Sequence, residues 1–349
     1  MKAVALRGVG NMELVDIAEP EAGPGELKLR VRYCGICGSD LHEFQSAVIT
    51  LMTNRQSPIM GHEFSGEVVA VGAGAEGFAV GDAVTVNPQE PCGECLYCKS
   101  DRSNLCLSAR LLGLGYHSPG AFAEYLCARA SHAVKVAPDA PADQLALTEP
   151  LAVAVHALNQ GKLQPGETVF IAGAGPIGAL TVAAARHLGA GRVIVSEPAA
   201  NRRALAQHLG ADEVIDPSAS PAAPRVLELT GGVGVDLAVE CVGIGAALDD
   251  CLVAAKRGGR IVVAGVFEQP TPILLLRTMV FEHQIIGAFA YREEFPQAAD
   301  LIASGQIDVS PVISRTVSLA EVPATFAELA ADRDRYHKVL VSPEAGPTQ

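Results

Sequence analysis

Up to about Gly161 the chain carries short β-rich runs, at 27–31, 67–71 and 83–86, broken by glycine and proline. Such punctuation predicts an irregular all-β domain. Beyond it, strand-like runs alternate with helical ones: 168–172 then 177–188, 192–196 then 201–209, 236–241 then 246–256, and 260–264. Alternation of that kind predicts βαβ crossovers and a parallel sheet. Gly189 and Gly210 stand where the first two helices should stop, as helix C-termini often require. From about Tyr291 a helix (294–304), a β-rich run (313–318) and another helix (319–331) leave the rhythm, and they are expected to return to the first domain. The tail, 342–349, has two prolines and a glycine and is expected to be disordered. The expected division is therefore 1–150, 151–290 and 291–349, an α/β class of fold with a β-rich part beside a doubly wound parallel sheet.

At 349 residues the chain exceeds the size at which a single core keeps growing, which agrees with two domains. Its 26 basic and 39 acidic residues give a net charge of -13, and no Lys/Arg cluster is longer than a pair such as Arg202-Arg203. Nucleic acid and anionic membrane surfaces are poor partners for such a surface. The most apolar run, 168–185, is interrupted by Gly173, Gly175, Pro176 and Gly178, so it reads as strand, turn and helix rather than a membrane span. The start lacks an apolar signal region, and a cytoplasmic location is expected. In a reducing compartment the nine cysteines are expected as metal ligands or buried apolar residues, not disulfides.

Cys92, Cys95, Cys98 and Cys106 form a C-x2-C-x2-C-x7-C loop. Four thiolates close a tetrahedral zinc shell and leave no open position, so the expected role is structural. Four unrelated thiols and an iron–sulfur cluster are the weaker readings; the latter lacks a Cys-Pro ending and a second cysteine set. A different constellation lies upstream: Gly35-Ile36-Cys37-Gly38-Ser39-Asp40-Leu41-His42, then Gly61-His62-Glu63. Thiolate and imidazole suit borderline-soft Zn²⁺, and few protein ligands keep one position open for a reacting oxygen. Cys37 and His62 are the expected ligands. Glu149 is the candidate third ligand. A Cys34–Cys37 redox pair, a structural His62 and an ordinary helix-start Glu149 remain alternatives. His156 sits on an apolar run and reads as a core residue.

Gly173-Ala174-Gly175-Pro176-Ile177-Gly178 follows a strand and opens a helix, which fits a pyrophosphate resting on a helix N-terminus. Glu197 ends the next strand 19 residues after Gly178, where a carboxylate can accept hydrogen bonds from the adenosine ribose. That acid favours NAD over NADP. Arg202 and Arg203 read as flanking the adenosine. Gly231-Gly232-Val233-Gly234 precedes a strand and is better explained as a plain turn.

Taken together these motifs resemble the zinc-containing medium-chain dehydrogenase/reductase superfamily over nearly the whole chain, and within it the butanediol, sorbitol and threonine dehydrogenase branch. Cys-Gly-Ile-Cys-Gly-Ser-Asp-Leu-His, Gly-His-Glu-Phe-Ser-Gly and Glu-Pro-Leu-Ala-Val-Ala-Val-His carry the likeness. The resemblance implies a GroES-like catalytic domain, an inserted Rossmann domain and two zinc ions per chain. It also implies Cys37, His62 and Glu149 at the catalytic zinc, with Glu63 able to exchange onto it, and Ser39 and His42 as a proton relay. Ile177 would back the nicotinamide, Glu197 and Arg202 would meet the adenosine, and 264–266 and 288–290, including Gly265, Val266, Ala288 and Phe289, would line the cofactor. Phe44, Ala290 and Tyr291 fall at substrate-pocket positions where sorbitol dehydrogenases tend to carry polar contacts. A short diol, hydroxyketone or secondary alcohol is then expected ahead of a long polyol. Homodimers or homotetramers are implied, with 271–290 as a sheet-edge contact. The rival classes are a non-catalytic NAD-sensing protein and a zinc-ribbon nucleic-acid binder; the intact relay opposes the first and the charge opposes the second.

Overall fold

A computed structural model describes residues 1–46, 57–108, 110–111, 113 and 119–346. The chain divides into two compact units, Met1–Glu149 with Phe295–Gln349, and Pro150–Glu294. Among the described residues no helix is long and apolar enough to cross a membrane.

The first unit is built on a seven-stranded sheet. Its path runs Ile313–Val317, Lys338–Val341, Glu26–Gly35, Glu63–Val71, Ala83–Val86 and Ala133–Lys135, and Tyr125–Arg129 also pairs with Glu26–Gly35. The long strand Glu26–Gly35 shows why it is central: Leu27, Leu29 and Val31 alternate with polar residues and are fully buried. They join Phe64, Val68, Phe122 and Phe326 in one core. Lys338–Val341, from the end of the chain, pairs antiparallel with Glu26–Gly35, placing Leu340 opposite Gly35 and Val341 opposite Cys34. The return of the C-terminal segment is thus a sheet pairing. Ser342 is buried and its amide donates to Val317 O at 2.8 Å, so the start of the expected disordered tail is ordered; residues 347–349 lie outside the described ones.

The second unit is a six-stranded sheet in the order Glu213–Ile215, Arg192–Ser196, Thr168–Ala172, Val235–Glu240, Ala255–Val263 and Gln284–Gly287. Every neighbouring pair is parallel. Strands buried on both faces need uninterrupted apolar runs, and Val169, Phe170 and Ile171 are fully buried, as are Val193, Ile194 and Val195. Helices Pro176–His187, Ala200–His208 and Gly245–Ala254 provide crossovers. Strand order reverses at Thr168–Ala172, and ligands of open α/β sheets bind beyond the strand C-termini at such a point.

Candidate active site

In the first unit, Cys37 follows the end of Glu26–Gly35, and the helix Gly38–Ser46 carries Ser39, Asp40 and His42. His62 directly precedes the strand Glu63–Val71, whose first residue pairs with Gly35. One ligand atom each from Cys37, His62 and Glu63 lies within 4.8 Å of the other two. Thiolate, imidazole and carboxylate converge from two strand ends and a loop. A side chain on Gly35 would overlap the Glu63 carboxylate, so only glycine leaves it room.

Two buried side chains that sequence reasoning assigned no role hold this group. Asp40, with no exposed surface, accepts a hydrogen bond from Cys37 N at 3.0 Å and places Oδ1 3.6 Å from His62 Nδ1. Burial opposes the charged imidazole, but the Asp40 charge and hydrogen bond, with the Cys37 thiol, hold His62 well above its usual pKa. Lys338 donates to both Glu63 oxygens, at 2.9 and 2.7 Å, and to Ile36 O at 3.1 Å. Both members of that ion pair are almost fully buried. Burial works against the ammonium, yet Glu63 and then Cys37 raise its pKa overall.

The donors fit zinc. His62 turns Nδ1 towards the buried Asp40 carboxylate and Nε2 towards Cys37 and Ser39, the arrangement in which a carboxylate orients an imidazole whose other nitrogen ligates a metal. Ser39 Oγ stands 3.4 Å from His62 Nε2, and both Ser39 and His42 are half-buried. Glu149, in the first turn of the helix Thr148–Gln160, is not in the three-residue group, although its charge reaches Lys338.

The second cysteine cluster is of another kind. Cys92, Cys95, Cys98 and Cys106 bring four sulfurs within 4.8 Å of one another. Main-chain amides point at them: Cys92 and Ser108 N donate to Cys106 Sγ at 3.2 and 3.4 Å, and Cys95 N to Cys92 Sγ at 3.4 Å. Amide donors favour thiolates, and the Cys98 and Leu107 amides lower the Cys95 thiol to about 6. Such a loop fits zinc with no open position.

In the second unit Gly175 caps the helix Pro176–His187, with proline in its first turn. Ala174 N and Ala199 N donate to the two Glu197 carboxylate oxygens, each at 2.8 Å, so the buried acid braces the glycine loop. Arg203 is committed to Glu197 O, Pro198 O and Asp216, whereas the Arg202 guanidinium lies beside Gly175. Val242, Ile244, Val266 and Phe289 expose large apolar side chains just past three adjacent strands. Ala288 N donates to Val263 O at 3.0 Å, and Ala290 adopts a left-handed φ of 51°. Phe44 is buried with its ring edge on Phe326, and Tyr291 is only 1% exposed. Phe44 and Tyr291, two of the three positions read from the resemblance as pocket-lining, are thus buried within their own units. Phe44 was placed by sequence likeness alone, and no pattern within its helix distinguishes the two roles.

Residues 23–139 match the alcohol dehydrogenase GroES-like domain and residues 176–304 the zinc-binding dehydrogenase domain. Sorbitol dehydrogenase of Bacillus subtilis (strain 168) is 33% identical, covering 98% of this chain and 97% of that one. Among solved structures, a Sinorhizobium meliloti 1021 chain described as a zinc-binding dehydrogenase and bound to NADP matches with a TM-score of 0.91 at 35% identity, over 98% of this chain and 99% of that one. The 2R,3R-butanediol dehydrogenase of Bacillus subtilis matches with a TM-score of 0.90 at 31% identity, over 98% and 99%. The chain belongs to the zinc-binding alcohol dehydrogenase family, oxidoreductases that act on CH–OH groups with a nicotinamide dinucleotide.

Proposed function

We propose that this chain oxidises a short secondary alcohol bearing a neighbouring hydroxyl, or reduces the matching hydroxyketone, with NAD. The observation carrying the reading is the convergence of Cys37, His62 and Glu63 beside the Ser39 hydroxyl. The names of the relatives add a substrate class, since sorbitol and 2R,3R-butanediol both present adjacent secondary hydroxyls.

Cys37 and His62 would hold the catalytic zinc, with Glu63 or Glu149 as third ligand, and Cys92, Cys95, Cys98 and Cys106 would hold a structural one. When bound, the catalytic ion supplies Lewis-acid polarisation of the substrate oxygen, and the dinucleotide supplies the ring that exchanges hydride. Asp40 orients His62, and Lys338 fixes Glu63. Ser39 Oγ takes the hydroxyl proton, and the His42 ring, three residues along the same helix, passes it towards water. Gly173, Gly175 and the helix start would receive the pyrophosphate, Ile177 would back the nicotinamide, and Gly265, Val266, Ala288 and Phe289 would line it. Glu197 supports NAD over NADP, because a carboxylate repels a 2'-phosphate; Arg202 beside Gly175 and the NADP bound by the Sinorhizobium meliloti relative stand on the other side.

A homodimer or homotetramer is part of the reading. Gln284–Gly287 is an edge strand whose Ile285 is exposed, as are Leu274, Leu275, Leu276, Met279 and Val280 just before it in sequence. A cytoplasmic location is supported by nine free cysteines. The test is a panel of diols, polyols, hydroxyketones and simple secondary alcohols, each with NAD and NADP, accompanied by metal analysis and light scattering. Turnover of vicinal diols with NAD and two zinc ions per chain is expected. No turnover of any secondary alcohol with either dinucleotide would sink the proposal.

A further inference from the structure

The strand Val235–Glu240 lies inside the six-stranded sheet and delivers Glu240, with no exposed surface, to its C-terminal end. Burying a carboxylate is costly, and an apolar residue would fill the same place without that cost unless something nearby needs an acceptor. Glu240 Oε1 accepts hydrogen bonds from Val242 N and Gly243 N, both at 2.8 Å. Its main-chain oxygen accepts from Ala264 N and Gly265 N, both at 2.9 Å. Cys241 N, next along, donates to Ala172 O at 2.9 Å, where the strand feeding the glycine loop ends. A side chain on Gly173 would collide with Val242, so the glycine loop packs on the segment that Glu240 holds.

The Glu240 carboxylate thus holds its own loop, its main-chain oxygen holds a second, and Cys241 N ties in a third; these leave the C-terminal ends of three adjacent parallel strands. Burial raises the Glu240 carboxyl pKa, against the opposing amides of Gly243, Val242, Gly265 and Ile244. The Val242 and Gly243 amides, which Oε1 accepts, are the groups that would go unpaired without the carboxylate.

We infer that Glu240 is a positioning residue of the dinucleotide site: by accepting the Val242 and Gly243 amides it shapes the loops that receive the dinucleotide, which it does not itself touch. The inference rests on the proposed reading that the second unit binds a nicotinamide dinucleotide. Its consequence is that affinity for the dinucleotide depends on an acceptor at Oε1, and not on a negative charge reaching the ligand.

Full-length, zinc-loaded protein titrated with NADH and NADPH by dinucleotide fluorescence tests this, and the chain has no tryptophan to interfere. Glu240→Leu removes the acceptor of two amides and should weaken binding about tenfold or more. Glu240→Gln keeps a carbonyl acceptor and should stay within about threefold of wild type. The dinucleotide KM should rise in the leucine variant while kcat at saturation is held, a split that general destabilisation would not give. A folded leucine variant with wild-type affinity, or a glutamine variant as weak as the leucine one, overturns the inference. Should the leucine variant fail to fold, hydrogen exchange of the wild type without dinucleotide decides: protection of the Val242 and Gly243 amides close to that of Val235–Glu240 supports it, and loop-like exchange overturns it. A wild type that binds neither dinucleotide removes the underlying reading along with the inference, whereas the variant outcomes overturn the inference alone.

Discussion

The two cysteine-bearing groups of the first unit differ in how they are assembled. Cys92, Cys95, Cys98 and Cys106 come from a single loop, remain half-buried, and receive main-chain N–H donors from that loop. Cys37, His62 and Glu63 are brought together by a strand pairing, and their supporting side chains come from a helix and from the far end of the chain. The first group needs only its own loop. The second needs the fold, as the proposed reacting centre with an open position would, its few ligands being fixed from outside.

The sharpest break in that comparison is Cys37→Ala. It should lower kcat about 10³-fold or more and remove one zinc ion per chain, while the melting temperature changes little. Metal analysis and steady-state kinetics on the folded variant check this. Retained turnover with one zinc lost would mean that the two groups have been given each other's roles.

Lys338→Met should have the largest effect on stability. Removing one member of a buried ion pair strands the other, at a cost of about 3–5 kcal/mol, and Glu63 has no exposed surface through which to hydrate. Urea unfolding gives the magnitude. Adding Glu63→Gln to Lys338→Met should recover a large part of the loss, because the stranded charge is gone. A double variant no better than the single one would show that packing, and not the charge, explains Lys338.

Cys98→Ser should do less than either. Loss of one thiolate weakens a structural metal whose binding is coupled to the order of its own loop, so one zinc per chain should be lost and Tm should fall. Catalytic activity at temperatures below the transition should survive far better than in Cys37→Ala. Equal loss of activity in the two variants would erase the distinction between a closed and an open group.

What could be read from the sequence follows the same division. The alternation of short apolar runs with helical segments marks Thr168–Ala172, Arg192–Ser196 and the parallel sheet, since run length and the flanking glycines separate such strands from helices. Glu213–Ile215 and Ala222–Leu229 have no counterpart in that reading, and Leu275–Phe281 and Gln284–Gly287 enter it only as a sheet-edge segment, 271–290, without their helix and strand. Three of these are short, and the exposed leucines of 274–276 break the usual link between apolar character and burial. The four-cysteine spacing is legible because its ligands are neighbours in sequence. Lys338 is not: it meets Glu63 across 275 residues, and its place in an apolar strand marks it only once the pairing is known. Asp40 was visible within the motif but acquires a role only from the distance to His62. Glu240 ends a strand among many, and only the amides turned towards its carboxylate distinguish it.

The smallest predicted effect concerns a buried cluster in the second unit, where acid and imidazole meet without any call for a metal. Glu294 accepts from His156 Nδ1 and Asn159 Nδ2, both at 3.1 Å, and from Arg292 N at 2.7 Å. Burial would raise its carboxyl pKa, but these three donors outweigh it and lower the pKa to about 2, against an ordinary 4.5. A carboxylate depressed in the folded state stabilises fully above its unfolded pKa and loses that contribution as pH falls through the folded one. Wild-type stability should therefore decline between about pH 4.5 and 2, in part through this group. Glu294→Gln should be less stable than wild type at neutral pH, with the gap narrowing as the pH is lowered across that window. Urea unfolding at several pH values measures the gap, and a constant difference would show that Glu294 contributes through packing and not through its charge. His156, read from the sequence as a core residue, is indeed buried, yet it spends its Nδ1 on this acid, so an apolar replacement there should flatten the same pH dependence.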